Sequence, residues 1–584
     1  LAPAFQNKRN DIENLNAALY LKITLPLGFS IQTTYSPRFE WTNYLFHKAA
    51  ASPDSGSQNG RVERTHTKDF YWQWDNMLKW NKTFGKHAFD FTFLANWEKF
   101  QRWHDEMTNE NFLPTDELGY GGIGFGTSPN VSSDDVYRTG DAFMGRLHYV
   151  YDQRYLITAT VRRDGYSAFG LANPRATFPA IALGWVFSEE KFLHRPDWFE
   201  YGKLRLSWGK NGNRAVGTYA AFMQLAPRKY IYVDPATGSL VTANTFYAST
   251  MANPNLKWES TTSWNIGTDL TFLKGRLSAN LDVYKKITTD LLVSRELPSL
   301  IGYSSVMSNI GEVQNTGVEL SLNSTNIRMD KLTWRTSFSL AYNKNKITHL
   351  YGIMEDVKDA DGNVIGQREA DDIKNKRFIG HDIDEIWDYK VVGIWQEEER
   401  EEAAKYGQQP GDVHLLDKDM NYKYDNTDKE FQGTTMPRLR WSMRNDFTLF
   451  KNFNISFNMY SYIGHKKTLG RFTNDNALLN VTNQIKRDYW TPENRNNEYP
   501  RLANKKPAGV SYAIYKNASF LRFDNISIGY TFPKKLIEPL RIQNLNVNAT
   551  MKNAGYISGW PGYDPENSDA NTPRVIYFGI NLTL

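Results

Sequence analysis

Residues 142 to 187 read AFMGRLHYVYDQRYLITATVRRDGYSAFGLANPRATFPAIALGWVF, and their periodicity decides the fold class. Phe143, Gly145, Leu147, Tyr149 and Tyr151 alternate with Ala142, Met144, Arg146, His148 and Val150. After Asp152-Gln153-Arg154 the alternation resumes as Tyr155, Ile157, Ala159 and Val161. A period of two belongs to strands, whose successive side chains point to opposite faces. The second strand sets Thr158, Thr160, Arg162 and Asp164 between its apolar residues, so one face is apolar and the other wants water. A soluble sandwich alternates too, but strands of about ten residues with tyrosines at the strand end suit a lipid-facing band ~25 Å tall with an aromatic girdle. The stretch therefore predicts a membrane barrel.

The same pattern extends in both directions. Upstream, Leu15, Ala17, Leu19, Leu21, Ile23 and Leu25 form one alternating set, Pro26-Leu27-Gly28 a turn, and Phe29, Ile31, Thr33 and Tyr35 the next set. Phe70, Trp72, Trp74, Leu78 and Trp80 lead through NKTFGKH to Phe89, Phe91, Phe93, Ala95 and Trp97. Downstream, Trp258, Trp264, Ile266, Leu270 and Phe272 share one face against Glu259, Thr261, Ser263, Asn265 and Asp269. Leu332, Trp334, Phe338, Leu340 and Tyr342 repeat this against Arg335, Ser337, Ser339 and Asn343, and the chain closes on Ile576, Phe578, Ile580, Leu582 and Leu584. Short connections near 152–154, 188–202, 273–275, 324–331, 450–453 and 533–543 alternate with long polar ones near 37–68, 99–141, 165–176, 210–256, 287–315, 344–438, 465–518 and 554–573. Sorting of loops by length is the asymmetry of an outer-membrane barrel, with short turns in the periplasm and long loops outside the cell. The reading gives about seventeen antiparallel strands, where a closed bacterial barrel has an even number. The first strand descends into a short turn, so residues 1 to 14 are expected in an external loop.

Composition agrees with this reading. There is no apolar run long enough for a membrane helix, and the mean hydropathy of −0.58 is no obstacle, because lumen and loops of a barrel are polar. Aromatic residues at 14 % serve interfacial girdles and ligand-stacking surfaces alike. The absence of cysteine excludes disulfides, zinc-thiolate sites and thiol catalysis. A net charge of +5, spread through mixed charges, is no footprint for nucleic acid. Leu1 follows no basic and apolar leader within the sequence, so an export signal is expected to have been removed or to lie upstream.

YDQRYLITATVRRDGYSAFG with ATFPAIALGWVFSEEKFL resembles the central signature of the SusC-like family of TonB-dependent outer-membrane transporters. NPNLKWESTTSWNIGTDLTFLKGRLSANLDVYKKITTDLL (253–292), NIGEVQNTGVELSL (309–322), PGDVHLLDKDMN (410–421), LRFDNISIGYTFP (521–533) and GYDPE (562–566) resemble it in the same order. The resemblance covers about residues 140 to 584 and is weaker before them; Leu584 stands where outer-membrane proteins usually end on an aromatic residue. It implies that residues 1–584 are the C-terminal barrel portion of an importer of oligosaccharides or oligopeptides, with seventeen of 22 strands present. The plug domain, the first strands and the segment that contacts the TonB complex are then expected upstream, with a SusD-like surface lipoprotein as a lid on the long loops. The rival class is a structural or adhesive outer-membrane barrel without energy coupling; the presence or absence of an upstream plug separates the two.

Catalysis finds no support. Gly119, Gly121 and Gly124 spell GxGxxG, but no helix follows as a dinucleotide fold requires. Ser207 and Lys210 lack the SDN and KTG partners of a serine acyl enzyme, and no HExxH pair exists. Trp97, Phe100, Trp103, Trp387 and Trp395 suit stacking on sugar rings or peptide side chains, and equally suit the girdle or a brace between loops. Arg162, Arg205, Glu259, Asp269, Glu319 and Arg335 fall on the polar face, where they line a solute path or hold an upstream plug. Glu397 to Lys405, EEEREEAAK, reads as an exposed helix. Asp417, Asp419, Asn421, Asp425 and Asp428 occupy positions 1, 3, 5, 9 and 12 of a calcium-loop frame, which makes calcium or magnesium in this external loop a candidate. The family's D-x-N-G-D-G run is altered here: Tyr422 replaces the glycine of the sharp turn and Asp428 a bidentate Glu. The alternative is a solvated acidic loop whose aspartates bond nearby amides.

Overall fold

The computed structural model describes residues 5–52, 59–112, 117–303, 305–359, 361–468, 488–502, 504–567 and 570–584. Among them no helix is long and apolar enough to cross a membrane. Eighteen of the described strands belong to the large antiparallel sheet, and the rest form two-stranded sheets in the connections. The chain divides into two compact units, one of Leu1–Trp185, Arg205–Trp264 and Ile287–Glu312, the other of Val186–Leu204, Asn265–Lys286 and Val313–Leu584.

The first unit opens with strands β1 (Gln6–Asn16), β2 (Leu19–Thr24), β3 (Phe29–Lys48), β4 (Arg61–Phe84), β5 (His87–Glu110), β6 (Asn130–Tyr151), β7 (Tyr155–Tyr166) and β8 (Arg175–Trp185). From β3 to β8 each pairs with the next. β1 and β2 lie end to end against β3, facing its Arg38–Lys48 and Ser30–Tyr35 segments respectively. The ladder lapses at Ala17 and Ala18 because they face Pro37, which has no N–H to give, although the Ala17 N–H still reaches the Pro37 carbonyl at 3.1 Å. Counted as one interrupted strand, β1 and β2 reduce the eighteen to seventeen rows, the number read from the sequence. The expectation of an external loop over residues 1 to 14 is corrected: Gln6 to Asn14 are paired strand.

Two further expectations are corrected in the same way. The stretches 37–68 and 99–141, read as loops, are largely strand, and the β3–β4 register runs unbroken from Phe29 opposite Trp80 to Lys48 opposite Arg61. β4 and β5 have 24 residues each, against the roughly ten that cross a bilayer. Beyond the bilayer both faces of a strand meet water, so the apolar alternation fades while the backbone ladder continues.

The two faces sort as the periodicity requires. Phe91, Phe93, Phe143, Leu147, Ile157, Val161, Ile181 and Leu183 are exposed on one continuous face. On the other, Asn96 donates to Asp75 at 2.7 Å and His148 pairs with Thr158 at 2.8 Å. An exposed aliphatic and aromatic face over a hydrogen-bonded polar interior is the arrangement of a protein whose outer solvent is lipid. The tight turn after β6 places Asp152 and Gln153 at positive φ, and Lys86 and Arg154 hold the Asp152 carboxylate.

In the second unit, strands Leu332–His349, Leu439–Leu449, Phe453–Ile463, Phe520–Thr531, Asn544–Ser558 and Val575–Thr583 pair in sequence. The connection 344–438 is not structureless. It carries strands Glu385–Tyr389 and Val391–Ile394 paired with Lys429–Thr434 and Val413–Leu415, and packs with 488–518 around Tyr389, Ile394, Val413, Leu415, Trp490, Tyr512 and Trp560. Glu397–Lys405 is a turn of 3₁₀ helix followed by a short α-helix, with Ala403 buried. Residues 469–487 of the connection 465–518 lie outside the described residues.

Candidate functional site

The polar face of β4 to β7 walls a cavity of 670 Å³. Cross-strand register builds that wall row by row. Tyr71, Phe100 and Arg138 form one row across β4, β5 and β6, then come Gln73, Glu98 and Gly140, then Asp75, Asn96, Ala142 and Asp164. The deepest row is Met77, Leu94, Met144, Arg162 and Phe178. A hydrogen-bond relay follows the wall: the Tyr71 hydroxyl donates to Gln73 at 2.9 Å, and the Gln73 amide donates to Asp75 at 2.8 Å. Asp75 also accepts from Asn96, so each carboxylate and amide has a partner without water.

Two close approaches shape the cavity. Gly140 lies directly under the Glu98 carboxylate, 2.6 Å from where a β-carbon would sit, so any side chain there would push Glu98 away from Arg214. Gly212 abuts the Phe178 ring in the same manner. Phe178, Trp258, Phe169 and Tyr166 then stack into one aromatic cluster, with Phe169 and Trp258 rings 4.8 Å apart. Trp258 therefore turns into the cavity and is buried, not on the outer face with Trp264 as the alternation suggested, because the strand begins only at Glu259.

A second cavity of 350 Å³ adjoins the first and shares Glu98 and Arg214 with it. Tyr71, Phe100, Arg138, Tyr166 and Asn213 complete its walls. The Arg214 guanidinium pairs with Glu98 and lies 5.0 Å above the Tyr166 ring. Arg138 lies 4.2 Å above the ring of Phe100.

The residues singled out from the sequence separate cleanly. Phe100 and Arg162 belong to the cavity walls, Arg162 forming an ion pair with Asp164 at 2.8 Å. Trp97 and Trp103 take the opposite face: Trp97 packs on Trp74 and edge-on to Phe143, and Lys68 sits 5.0 Å over Trp103. Trp387 and Trp395 are interior to the loop body of the second unit, Trp387 against Phe378 and Trp395 stacked on His414 at 3.5 Å with its indole N–H given to Gln408. These two brace the loops. Glu259 accepts from Asn213 at 3.2 Å, Asp269 accepts from Asn280, and Arg205 is half-buried on strand Phe199–Asn213. Glu319 lines a separate 440 Å³ cavity with Arg440, Trp441 and Tyr460, while Arg335 is exposed opposite Asp446.

Of the five calcium-frame residues, three converge: carboxylate oxygens of Asp417, Asp419 and Asp428 lie within 4.8 Å of one another. Asp425 instead caps the turn Asn426–Asp428, and Asn421 donates to Asp419 at 2.9 Å. Met420 and Tyr422 take positive φ, the conformation a glycine would adopt without strain, and Asp417 accepts both their amide N–H groups at 2.8 and 2.9 Å. Burial raises the Asp417 carboxyl, but bonds from the Tyr406 hydroxyl and backbone amides outweigh it and hold the group below its ordinary range. Its neighbour Asp419 is pushed up by desolvation and by facing Asp417. Hard oxygens gathered against their mutual repulsion are a donor set that suits a divalent cation.

Tyr71, Glu98, Arg138 and Arg214 were not singled out from the sequence. The available signal was parity: in YWQWDN, Trp72 and Trp74 point to lipid, so Tyr71, Gln73 and Asp75 must point inward.

A hydrogen-bonded polar face on long antiparallel strands, backed by an exposed apolar face, defines the class of outer-membrane β-barrels. The chain belongs to the TonB dependent receptor-like, beta-barrel family, whose model matches residues 2–554. Members of this family are outer-membrane β-barrel proteins, and the chain is one of them. It is SusC-like: it is 32 % identical over 467 residues to TonB-dependent receptor SusC of Bacteroides thetaiotaomicron, covering 76 % of this chain and 43 % of that protein. It is 28 % identical over 562 residues to TonB-dependent receptor P3 of Formosa agariphila, covering 94 % of this chain and 53 % of that one. Its fold is similar to that in the structure of the RagAB peptide transporter, with a TM-score of 0.79 at 20 % identity over 99 % of this chain and 63 % of the other. The chain thus spans about half the length of the curated relatives it matches.

Proposed function

We propose that the chain is the barrel portion of a TonB-dependent importer that brings oligosaccharides or oligopeptides through the outer membrane with a SusD-like surface lipoprotein. The observation that carries this reading is the cavity wall of β4 to β7, where amides, carboxylates, a tyrosine hydroxyl and aromatic faces alternate over four successive rows. Hydroxyls and amides of an oligomer exchange hydrogen bonds with such a wall at little loss, while the aromatic faces shed water onto sugar rings or apolar side chains. The relatives' extra length leaves room for a plug domain and a segment that contacts the TonB complex. The packed loop body around Trp490 and Trp560 offers a preformed surface on which a lipoprotein lid can sit. Uptake of labelled oligosaccharides and oligopeptides by cells lacking the gene tests the reading, together with mild-detergent extraction of the protein. Loss of uptake of one class and co-extraction of a lipoprotein are expected. Unchanged uptake of both classes, with the protein extracted alone, selects the structural or adhesive barrel instead.

Asp417, Asp419 and Asp428 are the proposed holders of a calcium or magnesium ion in the external loop. Bound, the ion would cancel the repulsion between Asp417 and Asp419 and tie the turn at Tyr422 to the turn at Asp428. Calcium should raise the melting temperature of the intact protein over that in chelator, and Asp419→Asn should abolish the difference; equal melting with and without calcium rejects the site.

A further inference from the structure

We infer that the smaller cavity is a subsite for a carboxylate-bearing unit of the ligand, with Arg138 as its anion anchor. The inference rests on the importer reading and deepens it to a ligand chemistry. The other two arginines lining the cavities each have a carboxylate, Arg162 taking Asp164 and Arg214 taking Glu98, and Arg102, one row further out, takes Asp69 in two bonds of 2.7 and 2.6 Å. Arg138 is the exception. Among the described residues its guanidinium has no hydrogen-bond or ion-pair partner, and lies 4.2 Å above the ring of Phe100. Stacking fixes the plane of the guanidinium and leaves its edge N–H groups free, and a planar fork of donors fits a carboxylate in two parallel bonds.

The surroundings point the same way. Arg138 lines the 350 Å³ cavity beside the Tyr71 hydroxyl, the Tyr166 ring and the segment Asn213–Val216. Glu98, the carboxylate that would otherwise repel an anion here, is already neutralised by Arg214, and Asp75 lies two rows deeper with its own amide donors. A unit that sets its carboxylate on Arg138 places its body against Tyr71 and Tyr166, with the larger cavity open to the rest of the chain through the shared Glu98–Arg214 pair. Two sources carry this chemistry, a uronic acid residue in an oligosaccharide and an acidic residue or C-terminus in a peptide.

The test is calorimetric titration of the full-length protein, purified from outer membranes, with four probes: oligogalacturonate, its neutral oligogalactose counterpart, a glutamate-containing peptide and its glutamine counterpart. One acidic probe should bind at least tenfold tighter than its neutral partner, and which one does so names the source. Arg138→Gln should remove that preference while leaving the neutral probe within twofold, and Arg138→Lys should restore part of it. Equal affinities for acidic and neutral probes, or no binding of any probe, overturn the inference. So does an Arg138→Gln variant that binds both members of a pair equally weakly or melts lower with its preference intact, since Arg138 would then hold the protein together. TonB-dependent uptake of a neutral oligomer with no acidic preference would leave the importer reading standing and remove only this subsite.

Discussion

Arg522 and Asp564 show how the loop-bearing end of the second unit is held at the level of single side chains. Arg522 is 3 % exposed and Asp564 1 %, and they meet at 2.6 Å, with Glu566 also 2.6 Å from the guanidinium Nε, though at an angle too poor for a hydrogen bond. Burial raises the Asp564 carboxyl, but backbone amides and Arg522 more than offset this and hold it low. A buried pair is costly to break because the survivor is left charged and dry, so Asp564→Asn or Arg522→Met should destabilise this region by about 3–5 kcal/mol. The heat needed to unfold the detergent-solubilised protein checks it, and a shift of under a degree contradicts it. His465 gives a pH dependence. It is buried, its Nδ1 has no partner, and burial followed by Lys467 and Arg440 depresses its pKa from 6.5 to about 4. The folded state therefore resists the proton that the unfolded chain accepts. Stability from His465 is complete above pH 6.5 and falls between pH 6.5 and about 4, by roughly 2 kcal/mol after allowance for solvent screening. Melting curves across that window should show the fall, and His465→Leu should flatten it.

At the scale of elements, the loop body of the second unit behaves as a small globular core. Trp395 is 2 % exposed, stacked on His414 and bonded to Gln408, so Trp395→Ala should cost about 3–5 kcal/mol of local stability. Limited proteolysis within 396–412 should become fast while the strands stay resistant; unchanged proteolysis contradicts this packing. Much of the strand arrangement was legible in the sequence, because apolar alternation reports a face in lipid. It disappears where both faces are wet, which is why the upper halves of β3 to β6 passed for loops. Trp258 and Trp395 were misplaced or left ambiguous for a related reason: an isolated tryptophan looks the same in a girdle, a cavity and a loop core, and only contacts at long sequence separation distinguish them. The cavity was half legible. Arg162 came from parity and Phe100 from its aromatic character alone, named alongside Trp97 and Trp103 of the opposite face, whereas Arg214 depends on the path of the chain after strand Phe199–Asn213, which no local pattern encodes.

For the whole molecule, the sorting of short and long connections predicts an orientation. The turns at 26–28, 152–154 and 273–275 belong in the periplasm, and the ends of the long strands with 344–438 belong outside. A cysteine at Ser128 or Asp361 should react with an impermeant reagent on intact cells while one at Lys274 should not, and the reverse pattern contradicts the orientation. The fold and family make this an outer-membrane barrel; what distinguishes an importer from a scaffold is energy coupling. The most direct measurement is accumulation of a labelled ligand by cells that carry the full-length protein, with and without an intact TonB complex. The account predicts uptake against a gradient that stops when the complex is deleted, with surface binding retained. Accumulation unaffected by loss of the complex, or surface binding without accumulation in either strain, would contradict it.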